Sequence, residues 1–377
     1  MKKVMFVVMV WLFCCSIIAA PVAAEEMSNV ELTERVKNLE DKLGTDSGGP
    51  RWFDRITISG LIEAEACFVN NDYDDPATED TDESDIALAT VELGINAEVH
   101  KYVSGHVLLL WEEDDTEPID VDEGFITIHG ADVVPLYLNA GKFYVPFGNF
   151  ESHMLSDPVT LELAETNESA VQVGFANDWV DASISIFNGD VDEAGEDSEI
   201  DSYVASVQVT VPDDTIPNVG LSAGVSYISN LADSDTLVDE LATASTVEDY
   251  VDAFGAYIHV SFKEMFFVKA EYIGALDKFD TADFAAIGGG TEIEPSAWNL
   301  EVAVAPIDNL EVAVRYAKTD DILGGIDDAG AFPESQYGIT VAYGLFDNTT
   351  VALEYLKNDY ENDDEATVVT AQLAIEL

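Results

Sequence analysis

The chain is short of cations. It carries 15 Lys and Arg against 75 Asp and Glu, a formal charge of −60. A surface of that sign repels nucleic acid and anionic membranes and attracts cations, which excludes a nucleic-acid partner. Cysteine is scarce: Cys14 and Cys15 sit in an N-terminal apolar stretch, and Cys67 is alone beyond it. A lone cysteine closes no internal disulfide, and Cys67 reads as a small packed side chain rather than a reactive thiol. Phe13, before Cys14, is too bulky for lipoprotein cleavage. The one long apolar run is Val4 to Ala20, so no second membrane-spanning helix is expected. No fixed repeat period is present, which excludes a β-solenoid. Disorder is excluded too, because hydrophobic residues make up 47% of the chain and are evenly dispersed.

Catalytic and metal-binding patterns are also missing. Gly220-Leu-Ser222-Ala-Gly224 spells a nucleophile elbow, but it lies in an alternating stretch with no helix after it. His100, His106, His129, His153 and His259 lack metal-ligand spacing. The acidic stretch Asp72 to Asp85 lacks the ordered glycine and terminal glutamate of an EF-hand. The expectation is a protein that is not an enzyme, with no metal site and no cofactor.

What is present is alternation. Val91, Leu93, Ile95, Ala97 and Val99 fall on one face, and Glu92, Gly94, Asn96 and Glu98 on the other. The same dyad recurs at 300–304, 310–314 and 351–355. Successive strand side chains point to opposite faces, so each segment is a strand with one apolar and one wet side. Candidate strands are 56–69, 86–100, 102–112, 121–129, 135–143, 169–177, 179–188, 202–212, 220–230, 251–262, 265–277, 296–306, 309–319, 335–346, 349–358 and 366–377. Short turns and long acidic connections alternate between them. An even strand number returns both ends of a barrel to the periplasm. The fold class is therefore all-β, a transmembrane antiparallel β-barrel of about sixteen strands, residues 51–377, in the outer membrane of a Gram-negative bacterium. Trp52, Tyr102, Trp111, Tyr137, Trp179, Tyr203, Trp298 and Tyr355 mark strand ends as an interfacial girdle.

Residues 1–24 read as a cleaved signal peptide: Lys2 and Lys3, the apolar stretch, then small residues at Val22-Ala23-Ala24. Leu32, Val36, Leu39 and Leu43 form a heptad seam, so 25–50 reads as a short coiled-coil helix and linker. The other reading of that segment is one amphipathic helix lying on another surface.

A barrel of this strand number is too wide for side chains to fill, so a water channel remains. Period-two counting turns Glu63, Glu65, Glu92, Glu98, Glu271, Glu301, Glu311 and Glu354 inward as channel-lining residues, with Lys269 and Arg315. A basic residue facing lipid costs about 2–4 kcal/mol near the midplane, so the inward assignment is the cheaper one. The connection 144–168 is less acidic and more apolar than the other long loops. With Phe147, Phe150, Met154, Leu155, Leu161 and Leu163 it is expected to fold into the lumen rather than extend into water. Phe147, Asn149, Glu151, His153, Asp157, Glu162 and Glu165 then form the constriction.

The segment Gly141-Lys-Phe-Tyr-Val-Pro-Phe-Gly-Asn-Phe-Glu-Ser152 resembles the LbtU-type siderophore porins. So do Val121-Asp-Glu-Gly-Phe-Ile-Thr-Ile128 and Glu162-Leu-Ala-Glu-Thr-Asn-Glu-Ser-Ala-Val-Gln-Val-Gly-Phe175. The resemblance covers most of the chain after the leader and is sharpest from Ile86 to Phe175. It implies ferric siderophore uptake across the outer membrane without a plug domain, and it assigns no ligand-binding residue. The expected partners are outer-membrane lipid, a small hydrophilic solute or ferric siderophore, and two further copies in a homotrimer. The alternative is a general, weakly cation-selective porin with no siderophore specificity.

Overall fold

The structure, a computed structural model, describes residues 52–113, 118–130, 133–242, 245–284, 291–322 and 332–377. The expected signal peptide (1–24) and the coiled-coil helix and linker (25–50) lie outside the described residues. The described residues from Ile58 to Leu377 belong to one compact unit. In chain order the strands are β1 (Ile56–Asp72), β2 (Thr81–His100), β3 (Val103–Trp111), β4 (Asp120–His129), β5 (Leu136–Tyr144), β6 (Asn167–Ala176), β7 (Val180–Phe187), β8 (Asp192–Glu193), β9 (Ser202–Val211), β10 (Val219–Ile228), β11 (Thr246–Val247), β12 (Ala253–Phe262), β13 (Phe266–Ala275), β14 (Ser296–Ile307), β15 (Leu310–Asp320), β16 (Ser335–Phe346), β17 (Thr349–Asp359) and β18 (Glu365–Glu376). All but β8 and β11 form one closed barrel of sixteen strands, each beside its neighbour in the chain. The short β8 and β11 pair with each other in parallel.

Closure comes from β1 against β18, antiparallel from Leu61↔Glu376 to Asp72↔Glu365. Closure leaves the wall without an open sheet edge, which a spanning sheet requires. β1 and β2 are longer than their sequence pattern suggested, at 17 and 20 residues. Their acidic upper parts extend into the loop region. There Asn71 donates to Thr81 Oγ1 at 3.3 Å and Asn70 to Asp82 Oδ1 at 3.3 Å.

Five connections at one end are of two or three residues, 101–102, 177–179, 263–265, 308–309 and 347–348, and the other two there, 130–135 and 212–218, are of six and seven. At Lys263 and Glu264 both φ angles are positive, 57° and 51°, and the Met265 N–H donates to the Phe262 carbonyl at 3.2 Å. That mirror-image turn matches the right-handed twist of the two strands it joins. The other end carries the long connections 73–80, 112–119, 145–166, 188–201, 229–252, 276–295 and 321–334, with one of five residues, 360–364.

The alternation is plain in β14. Ala297, Asn299, Glu301 and Ala303 are buried inside, while Leu300 and Val302 are exposed outside. Outward rings at the long-loop end, Trp298, Tyr316 and Tyr337, lie side by side with centroids 5.0 and 4.9 Å apart. Phe262, Phe266, Phe346 and Trp179 are exposed at the short-turn end. Tyr137 departs from the girdle expectation. It shares the inward face of Gly174, with its hydroxyl on Asp181 Oδ1 at 2.9 Å.

The apolar core lies inside the barrel rather than in its wall. It joins inward residues such as Phe187, Val204, Ile228 and Ile273 to loop residues Phe147, Leu163, Leu231, Leu237, Phe279, Phe284 and Ile293.

Candidate constriction site

The loop 145–166 leaves β5 and returns to β6 with its root closed by the Val145 N–H on the Thr166 carbonyl at 3.0 Å. Gly148 turns the chain inward with φ +81°, where a Cβ would strike the ring of Phe150. Its N–H donates to Ser226 Oγ on β10 at 3.0 Å. Phe147, 1% exposed, is driven into the internal core beside Ile228 and Ile273. Burying a phenylalanine side chain contributes about 1.5–3 kcal/mol, which opposes any outward swing of the loop. Helix α1 (Val159–Ala164) follows Pro158 and buries Val159, Thr160, Leu163 and Ala164 on the same core.

Wall carboxylates fasten the loop backbone at regular intervals. Glu271 on β13 accepts from the N–H groups of Asn149 (2.7 Å) and Phe150 (3.2 Å), and from Thr160 Oγ1 (3.0 Å). Glu301 on β14 accepts from Ser152 Oγ (3.0 Å) and the His153 N–H (2.8 Å). Glu354 on β17 accepts from the N–H groups of Leu155 (2.8 Å) and Ser156 (3.2 Å). Glu311 on β15 meets His153 Nδ1 at 2.8 Å. A loop without regular structure has backbone donors to satisfy, and each charge-assisted bond contributes about 1.5–3 kcal/mol.

Arg315 on β15 completes the clamp. Its guanidinium sits 2.9 Å from Glu301 with both side chains fully buried. Its remaining hydrogens reach Ser152 Oγ, Ser156 Oγ and the carbonyls of Ser156 and Asp157 at 2.7–3.0 Å. A buried guanidinium tolerates this position because its planar fork is filled by acceptors.

Glu151 projects from the loop to His259 Nδ1 (3.4 Å) and Lys269 Nζ (3.2 Å). Hydrogen bonding to His259, reinforced by Lys269, holds its carboxyl down at about 2.

The side of the lumen facing β1–β4 stays open. A cavity of about 690 Å³ is bounded by Glu63, Glu65, Glu92, Glu112 and Asp122 on the wall and by Met154, Leu155, Asp157, Leu161 and Glu165 on the loop. Among the described residues no lysine or arginine borders it. Glu165 is pushed up to about 8, first by burial and then by Asp235, Asp157, Asp122 and Glu162. Asp235, in the connection 229–252, is raised by burial to about 6, while accepting from the Asn167 N–H at 3.1 Å.

The channel-lining expectation therefore divides. Glu63, Glu65 and Glu92 border the open cavity, and Glu98 is exposed on the inward face. Glu271, Glu301, Glu354 and Arg315 also face inward, but the loop covers them, leaving 8%, 0%, 2% and 3% of each exposed. This corrects their assignment to open water: a carboxylate that meets unsatisfied loop N–H groups is better bonded to them than to solvent. Lys269 and Glu311 are tied to loop residues, each part-exposed. Phe147 is likewise corrected, from the constriction surface to the core. Asp157 and Glu165 border the cavity, and Glu162 is exposed on α1. The Asn149 Oδ1 atom is buried without a hydrogen-bond partner. Sequence reading missed Ser152, Ser156, Thr160, Ser226 and Thr340 as loop anchors. Hydroxyls carry no pattern of their own, although Ser226 and Thr340 keep the inward parity of their strands.

No family model matches the chain. A UPF0422 protein of Coxiella burnetii is 26% identical over 314 residues, covering 80% of this chain and 63% of that protein. One from Legionella pneumophila is 24% identical over 326 residues, covering 80% of this chain and 58% of that protein. The chain thus matches less than two thirds of the length of these relatives. Among solved structures, OprB of Pseudomonas putida has a TM-score of 0.57 at 9% identity, covering 92% of this chain and 97% of that one. The outer membrane channel DcaP of Acinetobacter baumannii has a TM-score of 0.56 at 15% identity, covering 85% and 97%. An anion-selective porin from Comamonas acidovorans has a TM-score of 0.56 at 13% identity, covering 85% and 99%. At these identities the likeness is one of fold: a porin-like closed barrel.

Proposed function

We propose that the protein is an outer-membrane porin through which small hydrophilic solutes diffuse, with a preference for cations. One observation carries this reading: four wall glutamates and Arg315 hold the loop 145–166 across the lumen, and the gap left beside it is bordered by carboxylates alone among its charged groups. Rings of acid favour cation passage by raising local cation concentration. The porin-like fold supports the same reading. So do the outward aromatic bands, which suit the two interfaces of a bilayer. A leader of signal-peptide pattern fits export to the outer membrane of a Gram-negative bacterium.

The test is electrical. Detergent-extracted protein inserted in a planar bilayer is expected to conduct in discrete steps and to give a cation-selective reversal potential in a potassium chloride gradient. A bilayer without steps, or an anion-selective potential, overturns the reading.

The resemblance to LbtU-type porins favours one cargo, a ferric siderophore. An acid-lined gap admits such a complex most easily when it is neutral or positively charged. Loss of iron-siderophore uptake in a deletion strain, restored by the intact gene, is the expected result. Assembly as a homotrimer is the expectation the porin-like fold favours. Native mass spectrometry in detergent reads the copy number directly.

A further inference from the structure

A second cavity, of about 330 Å³, lies inside the barrel toward the short-turn end, where Val211, Asp213 and Gly220 border it. The loop contributes Glu151 and His153 to its wall, and the strands contribute Ser222, His259, Ser261 and Lys269. His259 and Lys269 are direct cross-strand partners on β12 and β13, and each side chain is only 14% exposed. An ammonium as enclosed as that of Lys269 needs an anion beside it. The anion present is Glu151, which is itself 60% exposed and, among the described residues, pairs with these two side chains. Asp213 borders the cavity too, but among the described residues it forms no ion pair with either side chain. The Nε2 atom of His153, also in this wall, is buried without a hydrogen-bond partner.

We infer that this recess receives the carboxylate of a small zwitterion, with Glu151 occupying the place of that carboxylate until solute displaces it. The inference rests on the porin reading and deepens it by naming a solute class. Its logic is the order of charges along the barrel axis. The acid-bordered cavity opens toward the long loops, and the recess with Lys269 and His259 lies toward the short turns. A solute entering from the long-loop side meets carboxylates first and cations second. A free anion is repelled at the first station, while a simple cation passes it and gains nothing at the second, where Glu151 already answers Lys269. A molecule carrying both an ammonium and a carboxylate gains at each. Ser222 and Ser261 add neutral hydroxyls that can donate to the second carboxylate oxygen.

The test uses the full chain reconstituted in liposomes, with swelling rates measured in isosmotic glycylglycine and in N-acetylglycinamide, a neutral solute of similar size. Wild type is expected to admit the zwitterion at least about threefold faster than the neutral solute. Lys269→Met and, separately, His259→Gln are each expected to bring that ratio toward one, and Lys269→Arg to keep it. The ratio is read within one preparation, so it does not depend on how much of a variant folds. A wild-type ratio of one with the neutral solute passing freely overturns this inference alone. A ratio unmoved by either Lys269→Met or His259→Gln overturns the assignment to the recess. No swelling with either solute overturns the porin reading together with it.

Discussion

The two sides of the lumen obey the same strand alternation and end in opposite states. Along β6–β14 the inward residues at the long-loop end are Phe187, Val204, Ile228, Ile273 and Ala297, and loops fold down onto them to make one apolar core. Along β1–β4 the inward residues are Glu63, Glu65, Glu92 and their neighbours, and the space stays open. Parity alone thus decides only that a side chain points inward. Whether it meets water or another part of the chain depends on which loop has apolar residues to bury against it. The loop 145–166 belongs to both sides: Phe147 and Leu163 face the packed half, Leu161 and Glu165 the open half.

The strongest way to break this division is to remove its clamp. Arg315→Met leaves Glu301 buried and unpaired, which is expected to cost about 3–5 kcal/mol. The variant should unfold at lower temperature in detergent, become susceptible to proteolysis near 152–157 and conduct more per channel. Unchanged proteolysis would show that the apolar core holds the loop unaided.

The two faces of α1 give a sharper contrast. Leu163→Ala opens a cavity in the packed half and is expected to cost about 2–4 kcal/mol. Leu161→Ala, one turn face away and beside water, should cost less than about 1 kcal/mol. Thermal melts of the pair check the contrast, and equal losses would erase it.

A smaller effect follows from pH. Glu165 and Asp235 have carboxyls raised to about 8 and 6. A raised carboxyl binds its proton more tightly in the docked state, so docking is firmest below the ordinary carboxylate range. It weakens as pH rises through 6 to 8. Hydrogen exchange at 159–166 and 231–240 should therefore be slower at pH 5 than at pH 9, by about tenfold after correction for intrinsic rates. The smallest effect belongs to the open wall. Glu92→Gln should shift the reversal potential toward neutrality and change stability by no more than about 0.5 kcal/mol.

The fold was largely legible in the sequence because its determinants are local. Dyads such as Val91 to Val99 record which way each side chain points, and turns such as Lys263-Glu264 record where a strand reverses. The inward course of 145–166 was legible for a related reason: Phe147, Leu161 and Leu163 have no business in open water. The rest depends on pairings that no local pattern reports. Glu271 and Leu300 announce their faces equally well, yet nothing near Glu271 in the chain says that the N–H groups of Asn149 and Phe150 will reach it. Leu231, Leu237, Phe279 and Ile293 were hidden in connections that read as acidic, since a few apolar residues scattered among carboxylates have no period. Tyr137 was misplaced because aromatic residues suit a lipid interface and a polar lumen alike, and only its bond to Asp181 separates the two.

The central claim is that, at the long-loop end, one half of the lumen is a pore and the other a packed core. Single cysteines in a Cys67→Ser background test it, with the current through a bilayer recorded as a cationic methanethiosulfonate reagent is added. A cysteine at Glu92 is expected to react and cut the current sharply, and one at Leu163 to leave it unchanged. Reaction at both positions, or at neither, contradicts the account.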